Sequence, residues 1–233
     1  MENLKLEDLV LSDRESMEYD VIVIGAGPAG LSCAIKLKQL ANDAGREVSV
    51  CIVEKGSEIG SHILSGAVFE PKTLFDLFPD DAKDCPTLKT PVAKDDLFWL
   101  TGENKSIKVP SWLMPKSLHN KGNYIISLGE LCQWISEKAM ELGVDIFPGF
   151  PAQSYLKDES GRVIGISTGD MGIDKEGNQK GTYTPGMDIL AKQTIFAEGA
   201  RGHLGKQLIR EFNLDEGKTP QHFAIGFKEV WEV

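Results

Sequence analysis

The apolar positions of this chain fall into two rhythms. Short unbroken β-branched runs alternate with stretches in which apolar residues recur every three or four positions. Val21–Ile24 (VIVI) and the run from Val48 to Val53 (VSVCIV) are of the first kind. Such runs read as strands covered on both faces, as in the middle of a parallel sheet. Between them Leu31, Ala34, Ile35 and Leu37 keep helical spacing. The order strand, helix, strand is that of a βαβ unit. The same alternation returns downstream. Leu128, Leu131, Ile135, Ala139 and Leu142 form one helical stripe, opened by the capping pair Ser127 and Glu130 and stopped by Gly143. Val144–Phe147 then reads as a further parallel strand, and Thr194–Ala197 as the last.

Other stretches carry a period of two. Leu97–Leu100 and Ile107–Val109 face each other across a TGENKS turn, and Tyr155–Leu156 faces Val163–Ser167 across DESG. Residues 71–78 make a short amphipathic helix, and Tyr124–Ile126 and Met187–Ala191 are short strands. The polar, glycine-rich stretch from Gly169 to Gly186 is expected to be a surface loop; its Asp170 and Asp174 do not fit the spacing of a calcium loop. The helix over residues 200–212 turns Leu204, Leu208 and Ile209 inward. His222–Val233 (HFAIGFKEVWEV) reads as the start of a strand with nothing following to pair with it, so the chain is expected to be a piece of a longer protein.

The turn after the first strand carries chemistry. Gly25, Gly27 and Gly30 stand at GxGxxG spacing. Gly25 permits the sharp exit from the strand, Gly27 lets backbone approach a pyrophosphate, and Gly30 lets the helix lie close on the sheet. Pro28 suits the first helical turn. A helix that begins there aims unpaired N–H groups and a positive dipole end at phosphate oxygens. Glu54 closes the second strand 24 positions after Gly30, where a carboxylate meets an adenosine ribose. A second strand–acid–glycine–helix turn follows Thr194–Ala197, at Glu198-Gly199. It has two readings. Glu198 bonds a ribityl or ribose hydroxyl while amides near Gly199 and Gly202 support the pyrophosphate, or this is an ordinary strand–helix connection.

Composition trims the function classes. The formal net charge of −10 argues against nucleic acid as a partner. Cys33, Cys51, Cys85 and Cys132 include no CxxC pair, so they promise neither a zinc site nor an iron–sulfur cluster. The first eighteen residues are acidic and read as a lead-in, a short helix or disordered, with the features of neither a signal nor a transit peptide. Within VPSWLMPKSLHNKGNY, Trp112, Leu113 and Met114 form an apolar tip fenced by prolines, and Lys116, His119 and Lys121 follow. That pattern fits a loop dipping into a bilayer surface or one packed on another domain.

Several stretches together carry a family resemblance: GSHILSGAV after Glu54, GNYIISLGEL at a helix entry, GDMGIDKEGNQKG, and TIFAEGARGHLGKQL. From Asp20 to Val233 the sequence resembles the N-terminal part of the electron transfer flavoprotein–ubiquinone oxidoreductases. The resemblance implies an α/β fold: a glutathione-reductase-like, Rossmann-type FAD-binding parallel sheet with a β-meander and the start of a second mixed α+β domain. It implies a lead-in at 1–18, FAD-binding segments at 19–80 and 124–215, an inserted part of the quinone- and membrane-facing domain at 81–123, and the start of the quinone-binding domain at 216–233. Gly25, Ala26, Gly27, Pro28, Ala29, Gly30, Glu54 and Lys55 would hold the ADP half of FAD. Gly60, Ser61, His62, Leu64, Ser65 and Gly66 would line the route to the isoalloxazine, and Glu198, Gly199 and Gly202 the middle of the cofactor. Trp112, Leu113 and Met114 fall where the family touches the membrane. The implied partners are electron transfer flavoprotein, ubiquinone and a membrane surface, with peripheral attachment to the cytoplasmic face of the inner membrane. The family's [4Fe–4S] cysteines would lie outside this chain. Two alternatives stand beside it: another FAD-dependent oxidoreductase of the geranylgeranyl-reductase or monooxygenase kind, or an inactive truncated flavin-binding module.

Overall fold

The structure is a computed structural model that describes residues 14–64, 66–223 and 225. It divides into two compact units, one of residues 1–62 and 135–233 and one of residues 63–134. These breaks differ from the segment edges at 80 and 123 expected from the sequence.

The chain enters the first unit through β1 (Ser16–Ile24), α1 (Pro28–Asp43) and β2 (Val50–Glu54). The second unit holds β3 (Gly66–Phe69), α2 (Lys72–Leu77), β4 (Thr90–Pro91), β5 (Leu97–Gly102), β6 (Lys105–Val109) and β7 (Tyr124–Ser127). Helix α3 (Leu128–Glu141) begins there and leads back to the first unit. That unit continues with β8 (Val144–Pro148), β9 (Ala152–Lys157), β10 (Val163–Thr168), β11 (Met171–Ile173), β12 (Gln179–Thr184), β13 (Asp188–Phe196) and α4 (His203–Phe212).

The main sheet has the order β8-β2-β1-β13-β10-β9. β8, β2, β1 and β13 run parallel, and β10 and β9 are antiparallel additions. The expected Rossmann-type sheet with a hairpin is therefore present. Strand alternation sends Ile22, Ile24, Cys51 and Val53 to one face, where they pack with Ile166, Ile189, Ala191 and Leu204 of α4. Helix α1 packs on β1, β2 and β8 from the other face, with Leu31, Ala34 and Ile35 fully buried. Full burial of a residue such as Ile22 or Ile52 is worth roughly 1.5–3 kcal/mol, so β1 and β2 anchor the unit.

Four elements depart from expectation. β1 starts at Ser16, three residues before Tyr19, because Ser16–Glu18 pair with Asp188–Leu190 of β13 although β2 does not reach them. The strands expected at 187–191 and 194–197 are one strand, β13, whose Lys192 and Gln193 are exposed. The expected loop from Gly169 to Gly186 contains the β11–β12 hairpin, tied down at Asp170 by Arg14, Tyr183 and the Gly186 amide. Ile209 is exposed on α4, unlike Leu204 and Leu208. The strand expected over His222–Val233 lies outside the described residues except at 222, 223 and 225.

In the second unit, β3, β7 and β4 form one small sheet and β5–β6 a separate hairpin. The hairpin was expected; β3, hidden in a glycine-rich stretch, was not. Ser127 accepts a hydrogen bond from the Glu130 amide at 3.3 Å, as its capping spacing predicts.

Candidate functional site

The site lies at the carboxyl ends of β1, β2 and β13, where the strand order reverses: β2 and β8 lie on one side of β1 and β13 on the other. Open parallel sheets hold ligands at this switch point. Three glycines shape it, each for a different reason. Gly25 has φ +105°, and a Cβ there would stand 2.6 Å from the Ala197 carbonyl oxygen at the end of β13. A Cβ at Gly30 would overlap the Gly25 carbonyl oxygen and crowd the Val23 side chain. A Cβ at Gly27 would meet nothing within 4 Å, so this glycine borders open space. Gly27 is the N-cap of α1 and has no side-chain cap; Pro28 follows. The start of α1 is thus left open toward that space, the arrangement a pyrophosphate requires.

Glu54 is half-buried and wired into this turn. One carboxylate oxygen accepts the Ala26 amide at 2.9 Å and the other the Gly56 amide at 2.8 Å. Backbone bonds fix the surroundings: Gly25 N–H to the Val53 carbonyl, Ala197 N–H to the Ile24 carbonyl, and Phe150 N–H to the Glu54 carbonyl. The expected ribose acid therefore also staples the glycine loop to the end of β2. A carboxylate has about four acceptor positions, so two amides leave room for ribose hydroxyls.

Lys55 is exposed. Gly60, at φ +84°, turns the chain beyond it, and Ser61 and His62 are exposed. Leu64 and Gly66 belong to the second unit, where Leu64 is exposed and Gly66 pairs with Ser127. Ser65 lies outside the described residues.

At the second turn the structure shows where the Glu198 carboxylate goes. Glu198 points along its own chain, not outward. Its Oε1 accepts the Leu204 amide at 3.2 Å and its Oε2 the Gly205 amide at 2.8 Å. Gly202 is needed for this: a Cβ there would lie 2.5 Å from the Glu198 Cβ and 2.7 Å from Oε2. Gly202 therefore makes room for a side chain of the protein, and the α4 amides expected to meet phosphate are already bonded. The spacing of a Glu four positions before the Gly at a helix N-cap carries that signal in the sequence. Gly199, at φ +78°, borders open space and remains beside the site.

Among the described residues no acid–base or nucleophilic group emerges at the glycine turn. Burial, then the nearby Asp145, pushes the Cys51 thiol up to about 12, which keeps it protonated and inert. None of the four cysteines is in a disulfide, and Cys33 is partly buried while the other three are buried. Among the described residues no group of three or more His, Cys, Asp or Glu could hold a metal ion.

In the second unit Trp112 is 80% exposed and Leu113 56%, but Met114 is 9% exposed. The three-residue tip thus contracts to two: Met114 turns inward beside Val92, Ala93 and His119. The β5–β6 hairpin adds Phe98, Trp99, Leu100 and Ile107, all exposed, which the sequence reading did not include.

The fold and the open glycine turn define a dinucleotide-binding domain of the Rossmann-like class. In agreement, the NAD(P)-binding Rossmann-like domain family matches residues 23–80. The crystal structure of a geranylgeranyl bacteriochlorophyll reductase-like protein from Thermoplasma acidophilum superposes with a TM-score of 0.56 at 21% identity, covering 82% of this chain and 42% of that one, which establishes the fold. In sequence the chain is similar to the electron transfer flavoprotein–ubiquinone oxidoreductases. It is 58% identical to that of Pseudomonas aeruginosa over 95% of its length, and 52% identical to the probable one of Acinetobacter baylyi over 97%. It spans 40% of the length of each of these relatives.

Proposed function

We propose that this chain is the FAD-binding portion of an oxidoreductase that passes electrons from reduced electron transfer flavoprotein to ubiquinone. The observation that carries the reading is the 58% identity along 95% of the chain, joined to a glycine turn that is open where a pyrophosphate would sit. FAD, when bound, supplies the redox chemistry by taking up and releasing electrons. The protein's own residues bind and orient. Gly27, Ala29 and Gly30 at the start of α1 receive the phosphates, Glu54 accepts ribose hydroxyls while holding Ala26 and Gly56, and the turn from Gly199 faces the middle of the cofactor. Gly60, Ser61, His62, Leu64, Ser65 and Gly66 belong to the route toward the flavin ring. The [4Fe–4S] cluster of this reading is bound outside the chain, whose cysteines are not gathered. The test is reconstitution of the purified chain with FAD, followed by addition of reduced electron transfer flavoprotein. Stoichiometric FAD that is bleached by the donor supports the reading. A chain that binds NADH but no FAD refutes it.

The same reading makes residues 81–123, within the second unit, part of the quinone- and membrane-facing domain, attached peripherally to the cytoplasmic face of the inner membrane. Residues 97–121 carry four lysines against one acid in a chain of net charge −10. They also expose Trp99, Leu100, Ile107, Trp112 and Leu113. An apolar surface with a cationic collar suits anionic lipid. Among the described residues no helix is long and apolar enough to cross a membrane, and the free thiols fit a reducing compartment. Trp112→Ser with Leu113→Ser should lower binding to anionic vesicles at least fivefold in flotation, and adding Trp99→Ser and Leu100→Ser should abolish it. Unchanged flotation of the fourfold variant removes the membrane reading.

A further inference from the structure

We infer that Glu198 is a positioning residue of the dinucleotide site: it closes the N-terminus of α4 upon itself, leaving α1 as the phosphate-binding helix, and thereby fixes the Gly199–Gly202 turn beside the middle of the cofactor. The inference rests on the FAD reading above and deepens it.

The first amides of a helix have no intrahelical partner and must find one elsewhere. An N-cap side chain usually supplies it, by accepting from the second or third residue of the helix. In α4 the N-cap is Gly202, which has no side chain to offer. Glu198 replaces it from four residues upstream and takes both the second and the third amide, those of Leu204 and Gly205. Its negative charge also offsets the positive end of the α4 dipole. Little of that helix end remains to attract a second anion. At α1, by contrast, the N-cap Gly27 has no side-chain cap bond and its Cα faces open space.

The closure has a steric partner. Glu198 fits only because Gly202 lacks a Cβ, which would stand 2.5 Å from the Glu198 Cβ and 2.9 Å from its Cδ. The two residues are therefore one device. Its place matters because the strand that leads into it, β13, ends against the phosphate turn: the Ala197 amide bonds the Ile24 carbonyl at 2.8 Å, and the position a Gly25 Cβ would take is 3.4 Å from the Glu198 nitrogen. Movement of the Glu198 turn would shift the Gly199–Gly202 wall beside the middle of the cofactor.

Two readouts on the purified chain test the inference. Amide hydrogen exchange at Leu204 and Gly205 reports the cap without any flavin. Glu198→Ala should speed exchange there at least tenfold, and Glu198→Gln, which keeps one acceptor oxygen, should restore part of the protection. Equal exchange in Glu198→Ala and the parent chain overturns the cap. Affinity for FAD and for ADP, measured side by side, reports positioning. Glu198→Ala should weaken FAD about tenfold and leave ADP, which ends at the α1 turn, within twofold. Gly202→Ala should do the same, and the double variant should be no worse than either. Unchanged FAD affinity, or an equal loss of FAD and ADP, overturns the positioning role. A parent chain that binds neither nucleotide removes the FAD reading and the positioning role with it, while the exchange data still judge the cap.

Discussion

Helices α1 and α4 begin at the ends of adjacent parallel strands, each after a glycine of positive φ, Gly25 at +105° and Gly199 at +78°. Each turn also carries a glutamate that accepts two backbone amides. The difference is where the glutamate enters the chain. Glu54 comes from β2, the neighbouring strand, and binds Ala26 ahead of the helix, so the first turn of α1 is left for a ligand. Glu198 belongs to its own turn and binds the second and third residues of α4. The same components of strand, acid, glycine and helix thus leave an open helix end in one place and a closed helix end in the other. The order of acid and helix along the chain decides which.

The largest effects should come from breaking the turn that serves the ligand. Gly30→Ala drives a Cβ into the Gly25 carbonyl, which is backbone and cannot swing aside. Such overpacking costs about 3 kcal/mol. Calorimetry should show a lower melting temperature together with loss of FAD binding; a variant that melts with the parent would mean that α1 can lift off the sheet. The matching change at α4, Gly199→Ala, meets no atom within 4 Å. It should cost only the left-handed backbone strain, about 1 kcal/mol.

Gly27→Glu separates folding from binding. Its side chain enters open space, so the melting temperature should stay within a few degrees of the parent. The carboxylate would meet the pyrophosphate, and FAD affinity should fall at least a hundredfold. A normal flavin content in this variant would remove the placement of the cofactor at α1. No counterpart exists at Gly202, where the space a side chain would need is already filled by Glu198.

Much of this contrast was legible in the sequence, and the rest was hidden for physical reasons. β1 and β2 showed as unbroken apolar runs because central parallel strands are covered on both faces, whereas the edge strand β8 carries the exposed Asp145 within its run. β13 read as two strands because Lys192 and Gln193 interrupt its run, although both are exposed within a continuous ladder. The β11–β12 hairpin showed no apolar period because polar contacts at Asp170 and Asp174, not a core, hold it. The spacing of Gly25, Gly27 and Gly30 announced the tight exit from β1 and the close seat of α1 on the sheet. The direction of the Glu198 carboxylate was written only in its spacing four positions before Gly202, a pattern that reads equally well as a ligand turn. Met114 followed Trp112 and Leu113 in an apolar tip, yet the short helical turn at Ser111–Leu113 carries it inward.

The smallest effect should come from the middle of the same two strands, away from both turns, which makes it the control for the contrast. Asp20, at the middle of β1, accepts bonds from Lys192 of β13 at 2.6 Å and from the Ser49 amide at 2.8 Å. Lys192 foremost, then the Ser49 amide, holds its carboxyl below the ordinary carboxylate range. A carboxylate depressed in the folded state stabilises the protein above its unfolded pKa, about 3.9. That contribution is lost as pH falls through the lower folded value. Lys192 is largely exposed, so water and salt screen the ion pair and its contribution at neutral pH is small. Asp20→Asn should therefore shift the melting temperature slightly at pH 7, flatten the decline in stability as the pH is lowered below 4, and leave FAD affinity within twofold. A large loss of FAD affinity would mean that the β1–β13 pairing as a whole sets the site, and that the two turns do not differ for the local reasons given by their glutamates.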